Sequence, residues 1–306
     1  MIRFLLGKGA TVTLTRTKLM NTRRSFLKKA GGSLVLATVH PIDTLVDTPP
    51  TGKRVNEDLF KFGIAGYTFR HFKLDQSLAM LKKTDVHYLC IKDFHLPYNS
   101  TPDQTATFNE TLKKADVTGY AIGPIYMKTT KEIDNAFDYA RRTGVKMIVG
   151  IPNPEDLPYV DKKVKEYDMR YAIHNHGPDD KLYPNAATIY NLVKDLDSRI
   201  GLCFDIGHNM RYGNDPVADI EKYAERIFDI HLKNVTAASK SGSTCELGRG
   251  IIDIPAFVSV LRKVKYDGCC SLEYEKDMED PLAGIAESVG YFRGVCDTAK
   301  LGKRKS

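Results

Sequence analysis

The segments YAIHNH (171–176), IGLCFDIGH (200–208), IFDIHLKN (227–234) and GCCSLEYE (268–275) each run from apolar residues into a metal-type side chain. Those side chains are His174, Asp205, His231 and Glu273. If the four runs are neighbouring parallel strands, the four residues meet at one point, because an α/β barrel assembles its site from the C-terminal ends of its strands. Successive members stand 26 to 42 residues apart, the length of one strand-helix unit.

Working outward, apolar runs predict eight strands, near 62–67, 87–92, 120–126, 146–151, 170–175, 200–205, 227–233 and 269–274. Continuous apolar character suits strands covered on both faces. Helical signals lie between them. Thr101-Pro102 opens one helix with proline at its first position, and 131–142 carries Ile133, Phe137 and Ala140 before stopping at Gly144. Further helices are expected after Asp75, from Asn185 to Leu196, from Asp215-Pro216 and from Ile254-Pro255. The repeated β-α alternation predicts an α/β fold of the (β/α)8 TIM-barrel type over 59–300. A doubly wound sheet would want a glycine-rich phosphate turn after its first strand, and GYTFRH (66–71) is not one. Asn234 to Ile252, rich in Ser, Gly and Thr, reads as a long loop over the C-terminal face.

The 306 residues carry a formal net charge of +7. Residues 1–54 hold ten of the 45 Lys/Arg and two of the 38 Asp/Glu, which leaves 35 against 36 in the body. The basic excess therefore sits in the leader, and nucleic-acid binding is not expected of the barrel. Residues 1–37 contain NTRRSFLKK (21–29) followed by a short apolar stretch, the layout of an export signal. It resembles a twin-arginine signal and predicts a periplasmic protein, membrane-tethered if the leader stays uncleaved. The apolar stretch is too short for a permanent span. Met20 directly precedes the signal and is an alternative start, and 38–58 reads as a polar linker. The six cysteines (90, 203, 245, 269, 270 and 296) include four inside predicted strands and form no CxxC pair. They read as small core residues, not as a disulfide or zinc framework.

Two imidazoles and two carboxylates form a mixed nitrogen-oxygen set suited to one divalent ion: Mn, Co, Zn, Fe or Ni, with Mg left open by the carboxylates. Around it, Lys233 shares the face of His231 two residues earlier and is placed to hold a substrate oxygen or protonate a leaving group. His208, one turn after Asp205, is placed to bind a sugar hydroxyl. Lys92 and His95 in CIKDFHLP (90–97) read as a substrate clamp, and Arg249, flanked by Gly248 and Gly250, as part of a closing lid. Tyr67 and Arg70 are weaker candidates.

HNH (174–176), FDIGH (204–208), DIHLKN (229–234), GRGIID (248–253) and SLEYE (271–275) together resemble the sugar phosphate isomerase/epimerase family, with its xylose-isomerase-like barrel, over about 60–295. The resemblance implies a metal held by residues ending strands five to eight, usually Glu, Asp, His and Glu. These fall on His174, Asp205, His231 and Glu273, with His174 replacing the fifth-strand glutamate. In the ketose epimerases of that family two glutamates act as paired bases. Here only Glu273 remains, so His174 or His176 would supply the second acid/base.

The favoured expectation is a sugar isomerase or epimerase that removes the proton next to a carbonyl, with Glu273 as base and a metal stabilising the enediolate. The first alternative is a lyase or hydrolase cleaving 3-keto-glycosides by elimination, after a separate sugar dehydrogenase has made the ketone. The lost glutamate and the export signal point that way. A barrel that binds sugar without turning it over is the third reading.

Overall fold

The structure, a computed structural model, describes residues 58–301. The export signal, and all of the linker but its last residue, lie outside the described residues. Among the described residues no helix is long and apolar enough to cross a membrane.

Eight strands close a parallel barrel. They are β1 (Lys61–Ala65), β2 (Tyr88–Ile91), β3 (Thr118–Met127), β4 (Met147–Pro152), β5 (Arg170–His174), β6 (Ile200–Asp205), β7 (Ile227–Leu232) and β8 (Cys269–Leu272). Each pairs with its sequence neighbours, and β1 closes on β8 with Lys61 opposite Cys269. The helices are α1 (Leu74–Lys83), α2 (Pro102–Lys114), α3 (Thr130–Thr143), α4 (Leu157–Tyr167), α5 (Ala186–Val193), α6 (Ile206–Arg211), α7 (Pro216–Tyr223), α8 (Ile254–Lys263) and α9 (Leu282–Leu301).

Local chemistry sets their ends. Thr101 accepts from the Gln104 amide while the Gln104 side chain bonds back to Thr101, a reciprocal cap. Asn185 and Asp253 cap α5 and α8, and Gly144 ends α3 in the left-handed conformation. Three helices outrun the sequence signals. α4 begins at Leu157-Pro158 and buries only Leu157, Val160 and Val164. α6 is six residues long, too short to show a period, and α9 buries Ile285, Val289, Phe292 and Cys296 along one face among glycines and alanines that dilute the pattern.

The space between barrel and helices holds the main core. Inside the barrel the packing side chains are small: Cys90, Ala121, Val149, Ala172 and Cys203, with Phe228 beneath. All six cysteines are buried and free, as core residues should be. Small interior residues leave room for polar groups, which enter at the C-terminal ends of β5 to β8.

The segment after β7 differs from the expected open loop. Asn234–Val235 and Thr244–Cys245 pair as a short antiparallel hairpin. Asn234 is fully buried; its Nδ2 donates to the carbonyls of Leu247 (2.7 Å) and Ile252 (3.2 Å), and its Oδ1 accepts from the amides of Val235 and Ile252. A Cβ on Gly250 would lie 2.1 Å from that Oδ1, so GRG needs glycine there for close approach. This clamp fixes the segment, which is not a free lid. We expect Asn234→Ala to strand several buried backbone groups and to destabilise the barrel by about 2–3 kcal/mol, measured by urea unfolding; a change within error would show the clamp to be dispensable.

Candidate metal centre

The four strand-end residues do meet. His174 Nε2 lies 3.0 Å from His231 Nδ1, 3.8 Å from Asp205 Oδ2 and 3.9 Å from Glu273 Oε2, and His231 Nδ1 lies 3.4 Å from Glu273 Oε2. All four side chains are buried. One ligand atom from each falls within 4.8 Å of the others. A divalent ion held at roughly 2.0–2.3 Å from nitrogen and oxygen ligands sets such atoms about 3–4 Å apart. Asp205 Oδ2 accepts no well-formed hydrogen bond among the described residues and has only the ammonium of Lys233 beside it, at 3.2 Å, and two imidazole nitrogens at 3.0 Å must share a proton or a cation. The residues therefore fit a metal.

Each ligand is aimed by its surroundings. Asp205 caps α6 by accepting from the His208 amide at 2.6 Å, which leaves its other oxygen for the cluster. Asn175, the middle residue of HNH, binds both the amide and the carbonyl of Asp205 at 2.9 Å and so ties β5 to β6. Beneath His231 sits fully buried Asp229, 3.8 Å from Nε2, whose carboxylate takes the Tyr120 hydroxyl at 3.1 and 3.2 Å.

Lys233 is the second centre of the site. It is 1% exposed, and its Nζ lies 2.8 Å from Glu273, 2.7 Å from Glu275, 3.2 Å from Asp205 and 3.3 Å from His208 Nε2. His208, Glu273 and Glu275 are themselves grouped as metal ligands would be, and the ammonium is the cation they already surround. Its stem runs over Gly207, where a Cβ would lie 2.7 Å from it, which accounts for the glycine in DIGH.

Electrostatics follow from burial and these contacts. Burial opposes the charge on Lys233, yet Asp205, Glu273 and Glu275 outweigh it and hold the ammonium well above the usual lysine range. Burial likewise resists ionisation of Glu273, but Lys233 and His231 hold its carboxyl well below the ordinary value. Asp205 is pushed up to about 6, chiefly by burial. His174 is held well below the usual imidazole range by burial and the neighbouring His176 and His231, which keeps it neutral, as a ligand must be. Burial and Lys233 do the same to His208.

His176 stands at the mouth, outside the four-residue set. Its Nδ1 is 3.2 Å from Asp180 Oδ2, its Nε2 is 3.3 Å from the Tyr126 hydroxyl, and its ring stacks on Tyr126 at 5.6 Å and lies 4.4 Å from the His174 ring. Burial, with Asp180, Tyr67 and Glu273, raises the Tyr126 hydroxyl above its usual value. Arg70 binds the Tyr67 hydroxyl at 2.6 Å.

Three other expected contributors are engaged elsewhere. Lys92 donates to the Pro124 carbonyl at 2.8 Å. His95 is buried against α1, with Nε2 3.1 Å from Ser77 Oγ, and none of its contacts reaches the cluster. Arg249 is 62% exposed on its side chain and forked onto Glu287 of α9 at 2.6 Å, so it faces a helix and not the centre. Asn175, Glu275, Tyr126, Asp180 and Asp229 escaped the sequence reading. Strand alternation offered a signal for two of them: Glu275 follows Glu273 by two residues, and Asp229 precedes His231 by two.

A carboxylate behind a metal-bound imidazole raises its basicity, and Asp229 faces His231 Nε2 at 3.8 Å, an ion-pair distance and not a hydrogen bond. Asp229→Asn should weaken Zn²⁺ binding by about 10–100-fold in competition with a colorimetric chelator, with the fold unchanged by circular dichroism; equal affinity would remove Asp229 from that role.

The profile of the xylose isomerase-like TIM barrel family matches residues 101–295. The chain is 28% identical over 131 residues to the rhizopine catabolism protein MocC of Rhizobium meliloti, spanning 38% of this chain and 40% of that protein. It is 23% identical over 265 residues to the inosose dehydratase of Clostridium beijerinckii, spanning 72% of this chain and 87% of that enzyme. The fold also matches the IOLI protein solved with a bound zinc atom, with a TM-score of 0.63 and 18% identity over 77% of this chain and 97% of that one. With eight parallel strands closed into a barrel and a metal-type cluster at their C-terminal ends, the chain belongs to the xylose isomerase-like TIM barrel family.

Proposed function

We propose that this protein is a metal-dependent enzyme that removes the proton next to the carbonyl of a keto-sugar or keto-polyol and then expels a substituent from the next carbon. The observation that carries this reading is the pair of unlike groups beside the cluster. Lys233 is an ammonium held charged by three carboxylates. His176 is a single imidazole backed by Asp180.

His174, Asp205, His231 and Glu273 would hold one divalent ion. When bound it supplies Lewis acidity to a carbonyl and the neighbouring hydroxyl. With its carboxylate 3.2 Å from Nδ1, Asp180 favours the His176 tautomer that keeps the proton on Nδ1 and leaves Nε2 as the acceptor that faces the Tyr126 hydroxyl. Lys233 remains an ammonium and donates to the oxygen on which charge develops. Glu273 is engaged by the cluster and by Lys233, so it is a weaker base than its type suggests.

Elimination then balances on a single imidazole. The Cα–H bond breaks and its proton goes to His176 Nε2; the electron pair left behind becomes the Cα–Cβ double bond as the bond from the β-carbon to its oxygen substituent breaks, and the departing oxygen takes the proton back from His176. Epimerisation needs a second base on the opposite face, and the cluster's carboxylates, Asp205 and Glu273, are tied to Lys233, which is itself already protonated. Isomerisation stays as the second reading, because His176 itself could return the proton to the neighbouring carbon on the same face. The dehydratase name of the relative matched over most of its length supports elimination. The leader, read as an export signal, favours free sugars or glycosides over sugar phosphates, and an upstream dehydrogenase would supply the ketone.

In deuterated water, with a panel of 3-keto-glycosides and free ketoses, the protein should release the aglycone. His176→Gln should lose about 10²–10⁴ in turnover while keeping its metal content. Deuterium incorporation without cleavage would turn the assignment to isomerisation, and full activity in the variant would dismiss His176 as the base.

A further inference from the structure

A cavity of about 580 Å³ opens on the C-terminal side of β2 and β3, between the loop after β2 and helix α3. Tyr126 belongs both to this cavity and, through its hydroxyl at 3.3 Å from His176, to the candidate centre. The two spaces share one wall.

Its lining has a particular chemistry. Tyr126 and Tyr98 are 59% and 38% exposed, large aromatic surfaces left uncovered at the rim. The charged groups beside them are occupied by the protein. Arg142 donates to the Tyr98 carbonyl at 2.6 Å, Asp138 accepts from Tyr167 and Arg141 at 2.7 Å, and Glu132 accepts from the Lys128 amide at 2.6 Å. In contrast, the side chains of Asn99, Ser100 and Asn135 make no hydrogen bond to another group among the described residues, although all three face the cavity. Two amides and a hydroxyl offer both donors and acceptors without charge. Aromatic faces with neutral, two-way hydrogen-bonding groups match a ligand with apolar C–H faces and hydroxyl edges. That ligand is a pyranose or furanose ring; an anion or a cation would leave its charge unmatched.

We infer that this cavity is a saccharide subsite, which takes a second sugar unit joined to the ring processed at the metal centre. The inference rests on the proposed function in placing the reacting ring beside His176, and it gives the substrate class as a disaccharide or longer glycoside, not a free monosaccharide. Tyr126 lies where the two units join.

Binding tests this without turnover. Calorimetric titration of the full chain with methyl glucoside, maltose, cellobiose and trehalose should show at least one disaccharide bound tenfold or more tighter than the monoside. Asn135→Ala, on an outer turn of α3, should reduce that preference to threefold or less without changing the affinity for methyl glucoside, and Tyr98→Ala should do the same. Absence of a disaccharide preference in the parent protein, or its persistence in both variants, would overturn the subsite. A preference that is present and lost in the variants, in a protein that exchanges no proton and cleaves no keto-glycoside, would keep the subsite and reject the catalytic reading. Cleavage of keto-glycosides with no preference in binding would do the reverse.

Discussion

The site is organised around a charge that the fold buries and cannot leave alone. An ammonium taken out of water is costly unless carboxylates surround it. Lys233 has three within 3.2 Å, from the ends of β6 and β8 and the turn beyond β8. The same carboxylates bring His174 and His231 to one point, because Asp205 and Glu273 serve both the ammonium and the imidazoles. Removing the lysine would leave Glu273, Glu275 and Asp205 repelling each other in a buried space. Its place in the interior is made by the absence of a side chain at Gly207.

The barrel meets this demand from its frame. Parallel strands of β-branched, aromatic and small residues turn every second side chain inward. Below the site those positions carry Cys, Ala and Val, which pack a narrow floor. Asp229 interrupts that floor, with His231 Nε2 3.8 Å away and with Tyr120 and Ser271 joined to it in one hydroxyl network. Polar depth below the ligands is what a catalytic cluster needs to hold its geometry, and a purely structural barrel has no use for it.

Much of this was legible before any coordinates. The strand positions were readable because buried parallel strands are continuous apolar runs, and the meeting of His174, Asp205, His231 and Glu273 because each run ended in a metal-type residue. The family motifs then received physical reasons: the glycine of DIGH clears the Lys233 stem, the asparagine of HNH ties β5 to β6, and the second glycine of GRG admits Asn234. What escaped depends on where side chains point. His95 follows β2 closely enough to suggest the mouth, yet its ring turns outward to Ser77. Arg249 sits in a glycine-flanked loop that resembles a lid, but Asn234 pins that loop and Glu287 holds the guanidinium. Helix α4 was hidden because its three buried residues are diluted by lysines and tyrosines. Tyr126, at the end of β3, is far from His176 in sequence and meets it only through the barrel's closure, whereas Asp180 follows His176 by four residues in the loop after β5 and carries no apolar run to mark it.

We expect one divalent ion among His174 Nε2, Asp205 Oδ2, His231 Nδ1 and Glu273 Oε2. Anomalous diffraction at the metal's absorption edge, on crystals of the purified protein, tests this directly. A single strong peak should lie at bonding distance from those four atoms, with Lys233 outside the coordination sphere. Diffraction from metal-loaded crystals with no peak there, or with the four side chains turned away from one another, would contradict it.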